Sequence, residues 1–138
     1  MLKQLANHWQ LSWPDPQQAI ILDDSHYLSY QQWHAMLPAA VQYAGSQPGD
    51  TVLLYQPDSL CFSLWFVALA MLGKHIVLPP DNQQHTTQMV LQHCDWQVPA
   101  QLPPVSAAQT NISLQLLLSK ECRISFFTSG STGQPKVI

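Results

Sequence analysis

Short apolar runs alternate with polar or proline-bearing breaks along most of this chain, and their periods predict its elements. Leu2, Leu5 and Trp9 fall on one face of a short helix over residues 2–9. The segment Trp13-Pro14-Asp15-Pro16 ends it, because a proline disfavours helix in the residue before it. Residues 19–22 read as a strand, 23–26 as a turn and 27–29 as a returning strand, together a β-hairpin. Residues 30–44 carry Trp33, Leu37, Ala40, Val41 and Ala44 on one helical face, with Ser29 placed to cap the first turn. Pro38 lies inside this pattern and predicts a kink or a split into two helices.

From residue 51 the pattern changes to alternating strands and helices. Pro48-Gly49-Asp50 is a turn, and 51–55 is apolar on both faces, as a strand buried in a parallel sheet would be. Asp58 or Ser59 caps an apolar helix over 59–72. Residues 76–78 form another strand, closed by Pro79-Pro80; 86–93 form a short helix capped by Thr86 or the turn before it; 96–98 form a short strand. Residues 99–111 are rich in Pro, Ala and Gln and read as a loop, 112–118 are apolar but ambiguous, and 123–128 form a strand. Alternation of this kind predicts an α/β fold: a mostly parallel sheet flanked by helices, preceded by a β-hairpin. Crossovers should be right-handed, and ligands in such folds sit beyond the carboxyl ends of the strands.

The stretch after the last predicted strand carries the chemistry. Thr128-Ser129-Gly130-Ser131-Thr132-Gly133-Gln134-Pro135-Lys136 packs four hydroxyls, two glycines and one cation into nine residues. Glycine allows close backbone approach to a ligand, and successive N–H groups in such a turn make an anion-binding nest. These are the requirements of a polyphosphate. The spacing is not that of a Walker A loop, in which Lys and Ser/Thr follow the second glycine directly. Pro135 removes a backbone donor ahead of Lys136, so a hairpin-like turn between two strands fits better than a strand-to-helix turn.

This string resembles the phosphate loop of the adenylate-forming superfamily, which includes acyl-CoA synthetases, aryl acid ligases and nonribosomal-peptide adenylation domains. Val137-Ile138 stand where that family usually has Gly-Val, which points to a divergent branch. Three upstream segments are similar to family landmarks in the same order: Leu28-Ser29-Tyr30-Gln31-Gln32-Trp33, the turn and strand from Gln47-Pro48-Gly49-Asp50, and Gly73-Lys74-His75-Ile76-Val77-Leu78-Pro79-Pro80. The resemblance covers roughly residues 20–138. It implies that Thr128, Ser129, Gly130, Ser131, Thr132 and Gly133 wrap the β- and γ-phosphates of ATP, that Lys136 neutralises leaving charge, and that Mg²⁺ bridges the phosphates. A carboxylic acid is the implied substrate, and coenzyme A or a carrier protein the implied acceptor.

Composition limits the alternatives. A chain of 138 residues suits one domain. Charged residues are 9% of it, well below the usual ~25%. A net charge of −3 carries no basic footprint, so no nucleic-acid partner is expected. Low charge weakens solubility and leaves self-association open. The longest apolar stretch, 60–72, is too short for a bilayer, which needs ~20 residues, and reads as a buried helix. No signal peptide is apparent at the amino terminus. Cys61, Cys94 and Cys122 lack metal-ligand spacing and read as reduced thiols of a cytoplasmic protein. The six histidines are scattered without paired spacing, and surface or partly buried positions are expected for them.

The family's acid pocket, ribose-binding aspartate and mobile C-terminal domain follow the phosphate loop in sequence. Residues 1–138 are therefore expected to be a partial N-terminal subdomain of an AMP-binding ligase, ending at the loop and inactive alone. Two readings of other kinds remain: a self-standing, non-catalytic α/β interaction module, and a generic nucleotide-phosphate binder.

Overall fold

The structure is a computed structural model that describes residues 2–4, 8–11, 19–21, 27–81, 83–101, 116–129 and 135–137. It is of the α/β class. At its centre is a five-stranded sheet containing β5 (Thr51–Leu53), β6 (His75–Leu78), β7 (Trp96–Gln97), β9 (Arg123–Ser129) and β10 (Pro135–Val137). Their order is β10-β9-β6-β5-β7. Four strands run parallel, and β10 returns antiparallel along β9 at one edge. The parallel strands are linked by α2 (Ser59–Met71) between β5 and β6, and by α3 (Gln84–Leu91) between β6 and β7.

Alternation along the strands divides the core into two layers. Val52, Leu54 and Ile76 pack with Leu64, Trp65, Ala68 and Leu69 of α2. Beyond α2 lies α1 (Tyr30–Ser46), which adds Trp33, Leu37, Ala40 and Ala44 to the same layer. Leu53 and Val77 point the other way, to Val90 of α3 and to Phe127. The double burial expected for residues 51–55 therefore holds, although the paired strand is shorter and Leu54 follows it. On the α2 side of β9, Ile124 and Phe126 stand 43% and 47% exposed, so the apolar layer is not closed over β9 by the described residues.

Local chemistry explains the helix starts. Ser29 Oγ accepts from the Gln32 N–H at 3.1 Å, and the Ser29 N–H donates to Gln32 Oε1 at 2.8 Å, a reciprocal capping box. Asp58 caps α2 by accepting from the Cys61 N–H at 3.0 Å, as anticipated. The third helix begins two residues before the expected Thr86, and its N-cap, Gln83, makes no side-chain capping bond. Pro38 does not divide α1, which is one helix through Ser46. The proline is buried, and tertiary packing of a seventeen-residue helix outweighs one missing ladder donor.

The chain before α1 differs more from the reading above. The hairpin is present, as β3 (Ala19–Ile21) paired antiparallel with β4 (Tyr27–Ser29). The expected helix over 2–9 is absent. Its described parts are two strands, β1 (Leu2–Gln4) and β2 (His8–Leu11), in the register Leu2↔Leu11. They form a three-stranded antiparallel sheet with β8 (Leu116–Ser119), which pairs Trp9 with Leu118. A two-turn helix has little stability of its own, and pairing with a strand more than a hundred residues away decides the conformation. The same pairing resolves the ambiguous run at 112–118, whose described end is a strand.

Candidate functional site

The hydroxyl- and glycine-rich string begins where β9 ends. Thr128 and Ser129 are the last two residues of β9, at the carboxyl end of the parallel sheet. Lys136 is the middle residue of β10, and its Cα lies directly opposite that of Thr128; Pro135 stands opposite Ser129 and Val137 opposite Phe127. The hairpin form expected from Pro135 is thus present, with proline at the first position of an edge strand, where a missing N–H is tolerated. The backbone brings Thr128, Ser129 and Lys136 together, although eight positions separate Thr128 from Lys136 in sequence. Gly130, Ser131, Thr132 and Gly133 lie outside the described residues, so their expected wrapping of phosphates has no structural description.

What positions the hairpin is β9. It pairs in parallel with β6 over His75↔Arg123 to Leu78↔Phe126. Phe127 is buried on the α3 side, where the His93 ring meets it at a centroid distance of 5.7 Å. Between these anchors, His75 Nε2 lies 2.6 Å from Ser125 Oγ, a half-buried hydrogen bond across the two strands. Burial and the neighbouring Arg123 guanidinium both hold the His75 ring below its ordinary pKa, burial more strongly. Sequence reasoning missed this pair. Fifty residues separate its members, and only the sheet register makes them neighbours.

At the opposite end of the sheet the strands are fastened by charge. Asp95 Oδ2 accepts from the Asp50 and Thr51 N–H groups at 2.9 and 3.0 Å. Lys74 Nζ reaches Asp50 Oδ1 and the Gly49 carbonyl at 3.1 and 3.3 Å. These bonds bind the Pro48-Gly49-Asp50 turn to the starts of β6 and β7. The bonds tie neighbouring strand ends together, which gives the turn a structural role.

Other chemistry is limited. No group of His, Cys, Asp and Glu among the described residues could hold a metal ion. All three cysteines are free thiols. Burial pushes each upward, Cys94 to about 11 with help from Asp95, so none is poised as a nucleophile. No helix among the described residues is long and apolar enough to cross a membrane. No protein-family model matches the chain, and no curated protein matches it.

Proposed function

We propose that this chain is the N-terminal part of an ATP-dependent ligase that activates a carboxylic acid as its adenylate and passes the acyl group to the thiol of coenzyme A or a carrier protein. The observation that carries the reading is the β9–β10 hairpin. Thr128 and Lys136 face each other across it at the carboxyl end of a parallel strand, with the glycine-rich string between them. Strand ends of this kind are where open α/β sheets receive ligands.

The chemistry asked of these residues is electrostatic. A carboxylate oxygen attacks the α-phosphorus of ATP, the bond to the bridging oxygen breaks, and pyrophosphate leaves with the electron pair. Backbone N–H groups and hydroxyls from Thr128 to Gly133 would hold the departing phosphates, and Lys136 would offset their growing charge. Mg²⁺ would share that charge when bound. The acid and the acceptor would be recognised elsewhere in the ligase, so the chain alone should not form adenylates.

The test is titration of the chain with Mg²⁺ and inorganic tripolyphosphate, followed by backbone amide shifts. Saturable shifts over 128–136, lost in Lys136→Ala while the melting temperature stays constant, support phosphate binding by the hairpin. No shifts, or shifts unchanged in Lys136→Ala, overturn it and favour a non-catalytic interaction module. In the ligase, Lys136→Ala should slow adenylation by roughly ten- to a thousandfold, a barrier change of ~1.4–4 kcal/mol. Ligase and generic phosphate binder are separated by carboxylate-dependent ATP–pyrophosphate exchange in the product of the complete reading frame.

A further inference from the structure

Between β6 and β9, one hydrogen bond involves side chains of opposite strands that both face α3's layer. His75 Nε2 and Ser125 Oγ are 2.6 Å apart, and Arg123 is the register partner of His75 on β9. A neutral imidazole nitrogen can accept the serine proton or donate its own, whereas an imidazolium can only donate. Protonation therefore restricts the bond and places a positive charge in a half-buried position beside a guanidinium.

Acidic groups in the neighbourhood are already engaged. Thr51, the partner of His75 on β5, sits beside Asp95 and Asp50. Asp95 takes two backbone N–H groups, and Asp50 pairs with Lys74. From the α3 side, Cys94 packs with the layer of Leu53, Val77, Val90 and Phe127, and His93 contacts Phe127. The cysteine is neutral well beyond pH 7, its thiol being held at about 11. Neither the Asp50 nor the Asp95 carboxylate is bonded to the side chain of His75 or Arg123.

We propose that His75, Ser125 and Arg123 form an acid-sensitive clasp between β6 and β9, which holds β9 in the sheet at neutral pH and loosens it in mild acid. The sign follows from the proton balance. His75 is harder to protonate folded than unfolded, so its contribution is fully present above the ordinary 6.5 and declines as pH falls from there through the lower folded value. The effect should be confined to β9 and what it carries. The proposal is independent of the ligase reading, because it concerns how β9 is held and not what the hairpin binds.

The experiment is hydrogen exchange of backbone amides in β9, divided by that of Val52 and Leu53 in β5, at about pH 7.5 and about pH 5.5. After correction for intrinsic exchange, relative protection of β9 should fall by at least about threefold at the lower pH. In His75→Asn, which keeps a donor and an acceptor but cannot titrate, the ratio should not change with pH. Arg123→Gln, an exposed position, should shrink the acid step and serves as the deciding variant if His75→Asn does not fold. Ser125→Ala should lower β9 protection already at pH 7.5. A ratio independent of pH in the unmodified chain, or an acid step undiminished in His75→Asn or in Arg123→Gln, overturns the proposal.

Discussion

Gly49→Ala should destabilise this protein by about 3 kcal/mol, the sum of backbone strain and lost charge-assisted bonds. Gly49 has φ +92°, a region that costs a residue with a Cβ about 1–2 kcal/mol. A Cβ at this position would also lie against Asp95 Cβ, 2.5 Å from Asp95 Cγ and 2.6 Å from Oδ2. Asp95 would have to withdraw. Its Oδ2 holds the Asp50 and Thr51 N–H groups, and disturbing two bonds to a carboxylate at a solvent-exposed site costs about 1.5–2 kcal/mol. Urea denaturation followed by tryptophan fluorescence measures the change as a shift in midpoint at constant slope. A double cycle with Asp95→Gly isolates the collision. Asp95→Gly removes both the carboxylate and the obstructing atoms, so the double variant should be less destabilised than the two single costs added together. A Gly49→Ala cost below about 1 kcal/mol, or full additivity with Asp95→Gly, would refute the argument that glycine is required here by the approach of Asp95.

Two further outcomes follow from local chemistry. Ser29→Ala removes the acceptor at the start of α1 and should cost about 1 kcal/mol in the same urea assay, with Ser29→Asp recovering most of it. At pH 8, Cys94 should react with iodoacetamide about a hundredfold more slowly than an unperturbed thiol, because its pKa is pushed to about 11 and the thiolate is the reacting form; mass spectrometry of the native and urea-unfolded protein reads the ratio directly.

Much of the fold was legible in the residues because its causes are local. The Ser29-to-Gln32 capping box and the Asp58 cap act within one helical turn, so the start of α1 and that of α2 were readable from three or four positions. Val52 and Leu53 were readable as a strand with two buried faces, and the β3–β4 hairpin was legible in its turn. The hydroxyl-glycine string was legible as candidate chemistry by the types and spacing of its residues. Pro38 shows the limit of a local rule. One missing donor predicts a break, but the rest of α1 is held along its length by α2, and the helix continues.

Amino-acid order by itself determined the α/β alternation from β5 onward, the side-chain caps of α1 and α2 and the concentration of hydroxyls, glycines and a lysine after the last parallel strand. Each depends on side-chain periodicity or on bonds between neighbours a few residues apart. Only the tertiary structure decided that residues 2–4 and 8–11 are strands, since their partner is β8, and that β9 lies beside β6, not beside β7, which precedes it in the chain. It alone brought His75 to Ser125. The physical reason is common to all three. Strand pairing is a contact between distant segments, chosen by which apolar faces the sheet and helices can bury together, and no local pattern encodes that choice.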